Sequence, residues 1–222
     1  NLSDLLELHE SKNSMATIAL TKVEDPSAFG VVPTNEFQQV IAFVEKPSKE
    51  NAPSHWINAG IYVLSKEFLD LIPEGLQVSI ERETFPKAIV EGSLYALESD
   101  EYWLDIGTVS KFIDAHSDFV SELSQQSDGG IYKEVAPNIF SDGSIQIGEG
   151  SYAESKCLVG KGSKLGNNCV LSGSSIGQNV EVFSNSTLSN AVLFSGVIVG
   201  ENVQIFDSVI GKNVTIGDRV QI

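Results

Sequence analysis

An α/β unit followed by a parallel β-helix is the architecture this sequence predicts, and three observations predict it. Before about residue 121, near-continuous apolar runs alternate with stretches of helical period. A polar stretch, Ser121-Glu-Leu-Ser-Gln-Gln-Ser-Asp-Gly-Gly130, interrupts that grammar. After it, aliphatic residues, glycines and asparagines recur with a fixed period. A chain of 222 residues has room for two modest domains. The boundaries drawn are a domain over 1–121, a linker over 122–137 and a repeat domain over 138–222.

The elements follow in order. Leu2, Leu5, Leu6 and His9 fall at helical spacing, with Ser3 placed as the cap. Apolar runs at 15–20, 39–44 and 56–64 read as strands of a mixed or parallel sheet, covered on both faces. Turn signals separate them: Glu24-Asp-Pro-Ser27, Pro33-Thr-Asn-Glu36, and residues 48–54 with Pro53. Helices are predicted over 80–91 and 108–123, with a strand over 93–99 between them.

The repeat has a 17-residue period. Units begin at Val159, Ile176 and Leu193, and Ile210 opens a fourth. Each unit divides as 6+6+5, three short strands and three corners. Glycine follows the aliphatic residue at 148, 160, 166, 177, 200, 211 and 217. Glycine and asparagine suit tight corners that need positive φ. One such coil cannot bury its own inner face, so coils must stack.

Charge narrows the function. Lys+Arg 14 against Asp+Glu 30 gives a net charge of −16. That disfavours non-specific binding to nucleic acid or anionic membrane. Residues 1–121 carry 8 basic and 20 acidic side chains, net −12; residues 122–222 carry 6 and 10, net −4. The few cations of the first part are therefore informative. No apolar run approaches the roughly 18 residues of a membrane helix. No secretory signal opens the chain, and Met15 lies inside a predicted strand. The expectation is a cytoplasmic fragment or processed chain. Cys157 and Cys169 make neither a disulfide framework nor a zinc pattern and read as two buried thiols.

Four places carry candidate chemistry. The strand ending in Glu45-Lys46-Pro47 sets a carboxylate and an ammonium at a strand terminus, where open α/β sheets bind ligands. A carboxylate accepts from sugar hydroxyls and an ammonium holds phosphate, although a solvated Glu-Lys pair has the same sequence. Asn58 interrupts an apolar strand, and a buried amide must be satisfied, by ligand or by loop. Ala59 and Gly60 beside it permit close backbone approach. Asp105, in Tyr102-Trp-Leu-Asp-Ile-Gly-Thr108, either caps the following helix or binds Mg²⁺. Gly30 is a turn glycine by default. His9, His55 and His116 are scattered and suggest no nucleophile–base order.

Taken together, these motifs resemble the sugar-1-phosphate nucleotidyltransferases. Phe29-Gly-Val-Val32, Phe43-Val-Glu-Lys-Pro47, Ile57-Asn-Ala-Gly-Ile-Tyr62, Ser79-Ile-Glu-Arg-Glu-Thr-Phe-Pro86 and Trp103-Leu-Asp-Ile-Gly107 occur in the family's order, and a hexapeptide β-helix follows. The Ser79–Pro86 and Trp103–Gly107 runs are most similar to those of mannose-1-phosphate guanylyltransferases. The resemblance implies a Rossmann-like catalytic domain, a left-handed β-helix, and transfer of a nucleotidyl group from a nucleoside triphosphate to a sugar 1-phosphate with release of pyrophosphate. It implies Mg²⁺ as cofactor, with GTP and mannose 1-phosphate as substrates. Glucose 1-phosphate with a thymidylyl, uridylyl or adenylyl donor is the neighbouring alternative, and a non-catalytic regulatory subunit a further one. An acyltransferase, the other use of such β-helices, would want a histidine in the helix, and all three lie before 121.

Carried over by position, Glu45 holds sugar hydroxyls and Lys46 the sugar phosphate. Gly30, Asn58 and Gly60 line the sugar pocket, Arg82 approaches the phosphate, and Asp105 is one of two Mg²⁺ carboxylates. The family's glycine-rich nucleotide loop and its other metal-binding Asp have no match here. The resemblance therefore implies roughly 100 or more residues upstream and a chain inactive on its own. It also implies a homo-oligomer, with the β-helix as one means of pairing.

Overall fold

The computed structural model describes residues 1–122 and 130–222. They form two compact units, Asn1–Trp103 and Leu104–Ile222.

The first unit is built on a five-stranded mixed sheet of order β3-β2-β4-β1-β5, with β1 Ala16–Lys22, β2 Gly30–Val31, β3 Val44–Glu45, β4 Trp56–Leu64 and β5 Leu94–Ser99. β1 runs antiparallel to β4 and parallel to β5. Its Ala16, Ile18 and Leu20 pack with Phe68 of α2 (Lys66–Leu69), Phe85 and Leu94 in one buried cluster. α1 (Leu2–Lys12) lies beside the sheet and inserts Leu5, which is fully buried. Its His9 Nδ1 lies 3.0 Å from both Thr17 Oγ1 and Ser14 Oγ.

Local expectations are corrected at three points. The α1 cap is Asn1, whose side chain accepts from Ser3 N; Ser3 already lies inside the helix. The apolar run at 39–44 is not one strand. Asn35 Oδ1 accepts from Phe37 N and Gln39 N, and Gln38 takes φ +66, which makes a turn. Gln39 then bridges Tyr95 of β5, and only Val44–Glu45 form a strand, paired with β2. The helix expected over 80–91 is two pieces: a π-helical turn Ile80–Thr84 and α3 Phe85–Val90. Pro86 supplies the reason, since it lacks an N–H and is tolerated only in a first turn.

In the second unit α4 runs Val109–Glu122. β6 (Lys133–Ala136) falls within the stretch drawn as a linker and pairs antiparallel with β7 (Ile139–Ser141); residues 123–129 of that stretch lie outside the described residues. Two- and three-residue strands follow in three stacked sheets, among the described residues. Successive coils are in parallel register at the predicted 17-residue step: Leu158 opposite Ser175, Ser175 opposite Val192, Val192 opposite Val209. The first coil takes 18, with Ile139 opposite Cys157 and Tyr152 opposite Val170. The extra residue falls between Tyr152 and Leu158, because the next step, Val170 to Ser175, is one shorter.

The inner face is a continuous aliphatic column containing Val159, Leu171, Ile176, Leu188, Leu193 and Ile205. The asparagines sit where left-handed backbone is needed: Asn168, Asn185 and Asn202 stack 17 apart with φ of +55, +61 and +57. Asn tolerates that region better than other side chains. Buried hydroxyls tie coils together. Ser186 Oγ donates to Gly200 O at 2.9 Å and accepts from Val203 N at 3.0 Å. Cys157 holds a related place, its Sγ accepting from Ser174 N.

Candidate functional site

β4 carries the centre of the site. Ile18 of β1 is opposite Tyr62 and Leu20 is opposite Asn58, so β4 holds two extra residues between these pairs. Bulges of this kind re-aim side chains beside binding sites. Because the excess is two, Asn58 and Tyr62 remain on one face of the sheet. Gly60 lies in the bulge at φ +76 with open space where a Cβ would stand, so backbone conformation, not room, calls for glycine.

The Asn58 amide is held from three sides. Nδ2 donates to Tyr62 Oη and to Glu81 Oε1, both at 2.7 Å, and Oδ1 accepts from Gly60 N at 2.9 Å. Burial holds the Tyr62 hydroxyl above its ordinary pKa; the Asn58 hydrogen bond opposes this and the Glu81 charge adds to it. Trp103 Nε1 donates to Ala59 O at 3.1 Å, which also pins the bulge.

Glu81 and Arg82 lie on the π-helical turn. Ser79 begins the turn: its Oγ accepts from Arg82 N, and Glu83 Oε1 accepts from Ser79 N. The reciprocal bonds fix the turn's entry. Arg82 Nη2 stands 3.7 Å from Glu45 Oε1. The Arg82 side chain is 69% exposed and that of Glu45 27%, so water screens the pair and its contribution to stability is slight.

Glu45 ends β3, directly opposite Gly30 of β2. A Cβ on Gly30 would come within 2.6 Å of Phe43 Cε1 and 3.4 Å of Glu45 Oε2. Here the demand is for space. Lys46 follows in left-handed backbone at φ +46, its N–H donating to Phe29 O at 3.0 Å. A non-glycine residue in that region is uncommon and concentrates at binding sites. It turns the chain sharply after Glu45. The Lys46 side chain is exposed.

The structure thus joins Gly30, Glu45, Arg82, Asn58 and Gly60 through contacts that run by way of Glu81. Asp105 belongs to the second compact unit. It does not cap α4: Thr108 Oγ1 accepts from Lys111 N, whereas Asp105 Oδ1 accepts from Gly107 N at 3.1 Å in a local turn. Its carboxylate is exposed. Among the described residues, no group of three or more His, Cys, Asp or Glu side chains is arranged to hold a metal ion. One carboxylate does not make a magnesium site. Glu81 and Tyr62 are the residues that sequence reasoning passed over. Both stand in the quoted motifs, but a Glu between an Ile and an Arg carries no signal of the amide it meets 23 positions away.

Comparison with known proteins decides what kind of chain this is. A family model described as nucleotidyl transferase matches residues 1–122. The chain belongs to the nucleotidyl transferase family. A second model, described as the LbH domain of EIF2B subunit epsilon, matches residues 136–222 and agrees with the left-handed β-helix. The chain is 34% identical over 184 residues to a mannose-1-phosphate guanylyltransferase of Mycobacterium tuberculosis, covering 82% of this chain and 50% of the relative. It is 35% identical to mannose-1-phosphate guanylyltransferase 1 of Arabidopsis thaliana, covering 77% and 45%. A mannose-1-phosphate guanyltransferase of Gibberella zeae aligns with 99% of the chain at 30% identity, over 62% of its own length. The chain spans about half the length of the first two relatives. No helix among the described residues is long and apolar enough to cross a membrane.

Proposed function

We propose that residues 1–122 supply the sugar-phosphate side of a nucleotidyl transfer that joins mannose 1-phosphate to the guanylyl group of GTP. The observation that carries this is the junction of Glu45, Gly30, Arg82 and Asn58 around one turn. Arg82 faces the Glu45 carboxylate, and the exposed Lys46 follows Glu45 in the chain, in a unit otherwise strongly acidic. A sugar phosphate has matching parts, hydroxyls for the carboxylates and a dianion for the cations.

In the reaction proposed, a sugar-phosphate oxygen attacks the α-phosphorus of the triphosphate, and the bond from that phosphorus to the pyrophosphate oxygen breaks. This chain's residues bind and orient. Lys46 and Arg82 hold the sugar phosphate, Glu45 accepts from sugar hydroxyls, and the glycines let the ring approach the backbone. Asp105 would supply one carboxylate of a Mg²⁺ site that the described residues do not complete. The guanylyl and mannosyl choices rest on the relatives' names; a glucose 1-phosphate substrate or another base is an outcome of the assay described below. We further propose that the chain acts as a homo-oligomer and that residues 1–222 alone bind sugar phosphate without turning it over.

Calorimetric titration of mannose 1-phosphate into the chain tests the phosphate role. Lys46→Ala is expected to weaken binding about 10-fold, the loss of one charge-assisted contact. Unphosphorylated mannose is expected to bind the two proteins alike. Equal affinity of the wild type and Lys46→Ala for mannose 1-phosphate contradicts the reading.

A further inference from the structure

One row on the β-helix is apolar with a single exception. Phe140, Leu158, Ser175, Val192 and Val209 stand opposite one another on successive coils, so they share one face. Ile176, the next residue along, belongs to the inner column, so Ser175 points outward. α4 packs against this face, where its Val120 clusters with Phe140 and Leu158. Ser175 is 5% exposed, and its Oγ finds no hydrogen-bond partner among the described residues. A buried hydroxyl left unpaired costs stability, which the aliphatic residues above and below it in the row do not.

Ser175 lines a cavity of about 280 Å³ beside α4, wholly within the second unit. The other polar side chains that line it can donate. Burial holds the His116 imidazole below its ordinary pKa, so near neutral pH the ring is uncharged and has one N–H to give. Ser195 Oγ accepts from Gln178 N at 3.2 Å, which leaves the hydroxyl's own proton for another acceptor. Lys212, one coil further on, makes no ion pair among the described residues. No Asp or Glu lines the cavity, in a chain that carries 30 of them. We propose that this groove binds a phosphate group, anchored by the Ser175 hydroxyl and the Lys212 ammonium, with Ser195 and His116 as further donors. A phosphate offers three or four acceptor oxygens to these donors, where a carboxylate offers two. Its source is free phosphate or a monoester whose body lies on Val192 and Phe194, which also line the groove. The site does not depend on the sugar-phosphate reading above.

The chain has three histidines, His9, His55 and His116, so selective isotope labelling of histidine resolves each imidazole in an NMR spectrum. Inorganic phosphate, phenyl phosphate and acetate are titrated in turn at fixed pH and ionic strength. Inorganic phosphate is expected to shift the His116 ring resonances, in the wild type and equally in Lys46→Ala, whose altered residue lies in the first unit. Ser175→Val and Lys212→Ala are each expected to weaken that binding about 10-fold. Tighter binding of phenyl phosphate than of inorganic phosphate assigns the site to a monoester; equal affinity assigns it to free phosphate. Without added anion, Ser175→Val is expected to raise the melting temperature by about 2–4 °C, because valine suits the row and leaves no hydroxyl unpaired. A melting temperature unchanged or lowered by Ser175→Val shows that the hydroxyl is satisfied within the fold and overturns the proposal. His116 resonances that phosphate leaves unmoved, or that acetate moves as strongly, overturn it too. So does a His116 response that is lost in Lys46→Ala.

Discussion

At Gly30 the structure gives a sharp demand. A methyl there meets the Phe43 ring at 2.6 Å and the Glu45 carboxylate at 3.4 Å. Phe43 stacks on Phe85 at 5.7 Å between centroids and packs against the buried cluster, so it has little freedom to retreat. Gly30→Ala is expected to cost about 1–3 kcal/mol in urea denaturation, the range of overpacked sites, and to weaken mannose 1-phosphate binding by displacing Glu45. Unchanged stability and affinity would show that Phe43 gives way freely. The sequence alone presents Gly30 as an ordinary turn glycine. Its importance comes from a ring 13 positions away, which spacing does not reveal. Asn58 is the converse case. An amide inside an apolar strand announces a buried polar contact, but its partner Glu81 becomes visible only once the π-helical turn is placed beside β4.

At the scale of elements, the repeat is legible because its physics is local: each coil restates the same inner aliphatic, outer polar and corner pattern. The strand Trp56–Leu64 was equally plain, from nine residues of apolar run. The run at 39–44 failed because an Asn35 side-chain turn outcompetes the strand preference of its apolar residues. The helix expected over 80–91 broke where Pro86 forbids continuation. The β-helix also carries a pH signature. Burial pushes the Cys157 thiol up to about 11, from an ordinary value of 9.0. A thiol raised on folding contributes stability that is complete below pH 9 and is lost as pH rises toward 11. The two-unit shift corresponds to about 2–3 kcal/mol. Urea midpoints at pH 8 and pH 10.5 are expected to fall further for the wild type than for Cys157→Ser. Parallel falls would place the pH dependence elsewhere.

At the scale of the whole molecule, compactness and family grammar divide the chain differently. α4 packs in the second unit, whereas the nucleotidyl transferase model runs to residue 122. The helix thus belongs by family to the domain that carries the chemistry and by packing to the β-helix. Acidity is uneven as well, net −12 over residues 1–121 and −4 over 122–222, and Lys46 and Arg82 stand out against that background. The central claim is that this chain provides the sugar-phosphate half of a guanylyl transfer. Pyrophosphate release is the most direct measurement, made with mannose 1-phosphate, Mg²⁺ and each nucleoside triphosphate in turn, on residues 1–222 and on the full-length gene product that carries them. Turnover by the full-length product that is fastest with GTP, and that falls at least 10-fold in kcat/KM for mannose 1-phosphate on Lys46→Ala, is the predicted result. No release of pyrophosphate with any triphosphate, from either mannose or glucose 1-phosphate, would contradict it.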